Sequence, residues 1–188
     1  VFSSDPYCLP VLHRFAPRVH FWHLPDPVQV YPVWDTGVEA LKAASRLPAG
    51  RKTLLLFGHL DSRKGIRSLQ KALTNLPEET RRKLTLWLVG PLEEDQRRYV
   101  EKMDSLPGLE VRRHHDFVPD EQVQTYFQAA DGVLALYQRH VGGSAVLVRA
   151  AAAGKPALAS DYGLVGQLVR ENGLGLALDA TDPAAVAA

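Results

Sequence analysis

The chain of 188 residues contains one cysteine, one methionine and almost no excess charge, its formal net charge being +1. A lone Cys8 excludes an intrachain disulfide and fits a reducing compartment. The near-neutral balance excludes bulk attraction to nucleic acid or to an anionic membrane. No apolar run approaches the roughly 20 residues that span a bilayer. The opening residues, VFSSDPYCLP, lack the basic start and apolar stretch of a signal peptide. GxGxxG, GxxxxGK[ST] and GxSxG are all missing. Their absence removes the dinucleotide fingerprint, the NTPase phosphate loop and the nucleophile elbow.

What is present is an ordinary globular composition, 46% hydrophobic, in a length that suits one domain with a real core. Residues 1 to about 50 are irregular and proline-rich. The stretch RVHFWHLPDPVQVYPV (18 to 33) reads as short extended pieces broken by Pro25, Pro27 and Pro32. Residues 35–46 suit a short helix with Asp35 or Thr36 as its N-cap. The chain opens as if in mid-strand and stops at DPAAVAA, where a helix begins. We therefore expect a piece of a longer protein.

From Thr53 onward the pattern is regular. TLLLF (53 to 57) and LTLWLV (84 to 89) are short apolar runs, as expected for strands buried on both faces. Further strands are predicted at 109–113, 132–137, 156–160 and 174–178. Helices fall between them: one carries Ile66, Leu69, Leu73 and Leu76, and one is polar with Tyr99, Val100 and Met103. A third is capped by Asp120. A fourth spans 145–153 with Ser144 as cap, and a fifth spans 163–172 and ends at Gly173. Strict alternation predicts an α/β fold, a Rossmann-like doubly wound parallel sheet with ligands at the carboxyl ends of its strands.

The chemistry is therefore sought in the loops at those ends. FGHLDSRKGI (57 to 66) places Arg63 and Lys64 beside a helix start, where Lys64 would neutralise a diphosphate. The plainer reading is a solvated basic turn. YQRHVGGSAV (137 to 146) offers Gly142 and Gly143 for close backbone approach and Ser144 as a hydroxyl. Here the plain alternative is a simple strand-to-helix connection. In HHDFVPDEQ (114 to 122), Phe117 and Val118 form an apolar edge for a planar base, or else pack under the next helix. His20 and His23 have HxxH spacing without a third ligand, and adjacent His114 and His115 face opposite ways in a strand, so no metal site is expected. Residues 93–98 read as a solvated helix face.

The ordered blocks FGHLDSRKGIRSLQKAL, LTLWLVGP, HHDFVPDEQVQTYFQAADGVLALY and GGSAVLVRAAAAGKPALAS resemble the C-terminal half of the group 1 glycosyltransferases (family 4 in the sequence classification), over about residues 28–188. The resemblance implies a GT-B fold whose second Rossmann-like domain binds a nucleoside-diphosphate sugar as donor substrate, with no separate cofactor. It divides the chain into the tail of an N-terminal acceptor domain (1–27), an interdomain linker (28–50) and the donor-binding domain (51–188). It further implies a hexosyltransferase-type reaction with retention, an acceptor held by the domain outside this chain, and a cytoplasmic location with peripheral membrane attachment through that domain.

The same resemblance exposes departures. The family's loop reads GR before KG, and its Arg and Lys hold the diphosphate. Here Lys64 is kept, but His59 stands at the Arg position, with one N–H where Arg has five. Protonation of His59 would partly restore the charge and make binding pH-sensitive. The family's paired glutamates, eight positions apart, fall on Val141 at the sugar side and Arg149 at the ribose side. Each lost charge-assisted hydrogen bond is worth about 1.5–3 kcal/mol. Two losses weaken donor binding by about a few hundred-fold if uncompensated. Arg139, His140 and Arg149 make the pocket more cationic. Two readings follow: a divergent donor site in a glycosyltransferase, or a non-catalytic domain that binds a partner or regulates. Saturable nucleotide binding favours the first, and tight protein association without nucleotide response favours the second.

Overall fold

Apolar residues on alternate positions of two neighbouring runs dictate the architecture. In TLLLF and LTLWLV, Leu55, Trp87 and Val89 face one side of a sheet, while Leu56, Leu86 and Leu88 face the other, and all six are buried. Both faces therefore need cover. The computed structural model describes residues 1–25, 27–29 and 31–188 and shows how that cover is supplied. Asp26 and Val30, both within the proline-broken stretch, the first in the expected tail and the second in the expected linker, lie outside the described residues.

The central sheet has six strands, all parallel: β3 (Lys52–Phe57), β4 (Leu84–Val89), β5 (Glu110–His114), β6 (Gly132–Ala135), β7 (Ala157–Ser160) and β8 (Gly175–Leu178). Their spatial order is β5-β4-β3-β6-β7-β8. The chain moves outward from β3 in one direction, then returns to lay β6 on its other side. That reversal makes β3 and β6 the topological switch point, where doubly wound sheets hold ligands.

One face is covered by α2 (Asp35–Ala44) and α6 (Asp120–Ala129), around Trp87, Tyr126 and Phe127. The other is covered by α3 (Ile66–Asn75), α5 (Glu94–Asp104) and α9 (Pro183–Ala187), around Leu56, Ile66, Leu88 and Met103. A third cluster joins α7 (Ala145–Ala152) and α8 (Gly163–Asn172) to the small residues Ala135, Ala157 and Ala159. Short α4 (Glu78–Arg81) contributes Arg81, whose buried guanidinium donates to the carbonyls of Leu73, Thr74 and Leu76 and so closes the end of α3.

Ahead of this body, β1 (Phe2–Ser3) pairs in parallel with β2 (Trp22–His23), and α1 (Leu9–Phe15) lies between them in sequence. Phe2, Phe15, Trp22 and Trp34 are exposed here. Residues 33–47 behave differently: Val38 is buried, and Val33, Leu41 and Leu47 pack against the α6 cluster.

Several boundaries differ from the sequence reading. The third strand runs 110–114 rather than 109–113. The fourth stops at Ala135, because the Tyr137 N–H turns back to the Ala135 carbonyl at 2.9 Å and lifts the chain out of the sheet. Asp35 and Asp120 are first-turn residues, not caps. The extended residues Trp34 and Pro119 hold the cap positions. Both carboxylates then sit where the helix dipole favours negative charge. Ser144 is a true N-cap, its Oγ accepting from Leu147 N–H at 3.2 Å. Gln96, expected on a solvated face, is buried.

Candidate functional site

The loop after β3 leaves the sheet through a crowded bend. Gly58 and Gly90 both have positive φ, and a Cβ on Gly90 would lie 2.2 Å from the Gly58 carbonyl oxygen. Only glycine fits such an approach. At its far end Gly65 has φ +70, and a Cβ there would meet the Leu136 carbonyl at 2.3 Å. The β3 loop is thus wedged against the end of β6. Backbone completes the join: Gln138 N–H donates to the Arg63 carbonyl at 2.8 Å, and Gln138 Nε2 donates to the Ala180 carbonyl at 2.8 Å.

Between the two loops lies Lys64. Its side chain is about nine-tenths buried, yet no carboxylate pairs with it among the described residues. Nζ donates to the Phe57 carbonyl at 2.8 Å and to Tyr137 Oη at 3.3 Å. Tyr137 Oη shares a 2.8 Å hydrogen bond with Ser144 Oγ. Lys64, Tyr137 and Ser144 therefore form one continuous chain from the first loop to the start of α7. Both hydrogen-bond partners are uncharged, so neither offsets the attraction of Lys64 for an anion as a carboxylate would.

The other basic side chains of the first loop meet carboxylates. His59 Nε2 lies 2.5 Å from Glu93 Oε1, and Arg63 donates to Asp61 through Nε and Nη2 at 2.9 and 2.7 Å. Burial pushes the Asp61 carboxyl up, but hydrogen bonds from the Arg63 side chain and backbone outweigh it and hold the carboxyl below its usual range. Of the basic residues considered in this loop, Lys64 has no carboxylate partner among the described residues, whereas His59 and Arg63 each have one.

The second loop is held from behind. Leu164 N–H donates to the Val141 carbonyl at 3.1 Å, and Gly163, with φ +63, lies so close that a Cβ would sit 2.6 Å from the His140 carbonyl. His140 Nε2 meets the Gly143 carbonyl at 3.0 Å, which requires the ring to carry its proton on Nε2, and the ring rests on Tyr137 at 5.3 Å. The backbone N–H groups of Gly143, Ser144, Ala145 and Val146 find no acceptor among the described residues. They are the free donors of a helix start. Val141 is exposed, offering only its methyl groups.

On the base side, Phe117 is exposed and Val118 is buried in the α6 cluster, so the two neighbours part company. Arg149, in the second turn of α7, is partly buried; its Nη1 is enclosed and lacks a hydrogen-bond partner. The structure links Lys64 through Tyr137 to Ser144 at the switch point, with Gly142 and Gly143 immediately ahead of Ser144 in the chain. His59 is held by Glu93. His114 Nδ1 pairs with Tyr126 Oη at 3.0 Å and His115 Nδ1 with the Gly90 carbonyl at 3.2 Å. Among the described residues no three metal-ligating side chains converge.

Sequence reasoning passed over Tyr137 and Gln138. Their signal was position: a hydroxyl-bearing aromatic and an amide immediately after a buried strand, ahead of a glycine pair. A cavity of about 460 Å³ lies away from these loops, lined by Glu39, Lys42, Asp131 and Lys155 near the amino ends of the strands. We place the site at the switch point instead, because the free donors and the uncompensated Lys64 are there.

Fold and loops together define a Rossmann-like, doubly wound domain with basic residues at its carboxyl edge. The sequence profile of the glycosyl transferases group 1 matches residues 37–188, and the chain belongs to that family. No curated protein sequence matches the chain. Among solved structures it is similar to HepE of Anabaena in complex with UDP (20% identity, TM-score 0.76, 100% of this chain and 51% of that one). It is also similar to a glycosyltransferase from Rickettsia africae (13%, TM-score 0.77, 100% and 51%). A third likeness is to sucrose-phosphate synthase from Thermosynechococcus elongatus (23%, TM-score 0.74, 100% and 47%). These likenesses give the fold, that of GT-B glycosyltransferases. The chain spans about half the length of the structures it matches.

Proposed function

We propose that this chain is the donor-binding half of a glycosyltransferase that transfers a sugar, with retention, from a nucleoside-diphosphate sugar. The observation that carries the reading is the uncompensated Lys64, buried at the switch point and linked through Tyr137 to Ser144. Lys64 and the free N–H groups from Gly143 to Val146 hold the diphosphate and stabilise its charge as it leaves, an electrostatic task that needs no proton transfer from this domain. His59 joins them only when Glu93 gives way. Phe117 borders the base, Val118 supports it from the core, Arg149 stands at the ribose side and Val141 at the sugar side.

The acceptor, and any group that activates it, belong to a further domain in this reading, so this chain alone does not turn over. Peripheral membrane attachment and a cytoplasmic location belong to the same proposal. No helix among the described residues is long and apolar enough to cross a membrane. HepE was solved with UDP and with UDP-glucose, which supports nucleotide-sugar binding as the activity to test first.

A second reading, a non-catalytic partner-binding module, is favoured by Val141 and Arg149 standing where the family has glutamates. Calorimetric titration with UDP, GDP and ADP separates the two. Saturable binding of one nucleotide, weakened in Lys64→Ala, supports the donor site. A folded chain that ignores all three at millimolar concentration favours the module.

A further inference from the structure

A smaller cavity, about 250 Å³, lies between the beginnings of α3 and α5, on the face of the sheet opposite α6. None of the groups placed around the donor lines it. Its inner wall is polar. Ser68 of α3 and Gln96 of α5 both line it, and their exposures are only 8% and 4%. Ser68 Oγ makes no hydrogen bond among the described residues. Gln96 donates through Nε2 to Asp95 Oδ2 at 2.8 Å, but its Oε1 accepts from no group among them. Neither atom is sealed in packing, so both stay open to the cavity. Buried polar groups call for partners. A serine hydroxyl donates and accepts, and an amide oxygen accepts, so this wall suits a ligand hydroxyl. One bridging water fills only about 30 Å³, far less than the space present.

The remaining wall is basic. Arg67 and Arg98 line the cavity, and neither has a carboxylate partner among the described residues, whereas Arg97, next along α5, is held by Glu94. The Arg98 guanidinium stands over the Tyr99 ring, 4.7 Å from its centroid, and donates to Tyr99 Oη at 2.9 Å. Tyr99 also lines the cavity, so that charge sits at its wall. Helix α3 starts here as well: the N–H groups of Ile66, Arg67 and Ser68 find no acceptor among the described residues, which adds partial positive charge. Asp95 is the one carboxylate on the wall. Two guanidiniums against one carboxylate leave a net attraction for an anion, and the planar fork of Arg suits phosphate oxygens.

We infer that this cavity is a second ligand site, one that takes a phosphorylated sugar. The phosphate meets Arg67 and Arg98, and the sugar hydroxyls meet Ser68, Gln96 Oε1 and Asp95. The inference does not rest on the donor-site reading. It also accounts for a buried glutamine on a helix whose neighbouring positions are exposed: Gln96 is turned into a cavity, not into an apolar core.

The test is calorimetric titration of this chain with the 6-phosphates of glucose and mannose, the two free sugars and inorganic phosphate. At least one sugar phosphate binds saturably, about tenfold or more tightly than inorganic phosphate or its own free sugar. Arg67→Gln and Arg98→Gln each weaken that binding about tenfold, as loss of one charge-assisted hydrogen bond allows. Both positions are exposed, so neither change threatens the fold. Arg97→Gln removes a charge from the same helix outside the cavity and leaves the affinity as it was. Four results overturn the inference: no saturable binding of either sugar phosphate at millimolar concentration; inorganic phosphate binding as tightly as both; Arg67→Gln and Arg98→Gln binding like wild type; or Arg97→Gln weakening binding as much as they do.

Discussion

The two loops that meet at the switch point treat charge in opposite ways. The Gly58–Gly65 loop finds carboxylates close by: its own Asp61 for Arg63, and Glu93, from the segment after β4, for His59, with Lys64 alone left over. The Tyr137–Ser144 loop and α7 bring cations and no carboxylate at all. One half holds its carboxylates in direct hydrogen bonds; in the other, Arg139 is faced by the Asp179 carboxylate without a direct ion pair. The cationic character of the site is therefore better judged by which charges lack partners than by how many there are.

The comparison can be broken at its joint. Gly65→Ala puts a Cβ against the Leu136 carbonyl at a left-handed residue, and should cost about 2 kcal/mol or more of folding stability. Urea unfolding measures this, and a loss below about 0.5 kcal/mol would show that the loops separate without penalty. Next in size is Lys64→Ala, expected to weaken nucleoside-diphosphate affinity by about 10- to 100-fold. Retained affinity would move the anion site elsewhere. Ser144→Ala removes the cap of α7 and the hydroxyl partner of Tyr137 together, at about 1 kcal/mol of stability, read from the thermal midpoint.

The smallest effect sharpens the balanced half. The Asp61 carboxyl is held below its usual range in the folded chain, so its stabilising contribution is present above the unfolded value, near pH 4. It fades as pH falls through the lower folded value. Wild type and Asp61→Asn should therefore differ by a constant amount from about pH 5 to 7 and converge in acid. A difference that widens on acidification would contradict the pairing.

Much of this was legible in residue order. Buried runs such as TLLLF and LTLWLV state a sheet covered on both faces, and the spacing of Ile66, Leu69 and Leu73 states a helix. Helix α1 was not legible, because Pro10 reads as a breaker although proline is tolerated in a first turn. Asp35 and Asp120 misled because an acidic residue serves a helix start equally well one position inside the cap. Within the site, Lys64, Gly142, Gly143 and Ser144 were readable as a loop pattern. The pairing of His59 with Glu93 was not, since the two are 34 positions apart and meet only through the bend at Gly58 and Gly90.

The wedge of Gly65 under Leu136, with the Gln138 bond to Arg63, has a consequence for timing. Loops pinned to each other by backbone lose their conformational freedom when the domain folds, not when a ligand arrives. In the donor-site reading, association here pays little ordering entropy, and because Lys64 is buried, added salt screens its attraction for an anion only weakly.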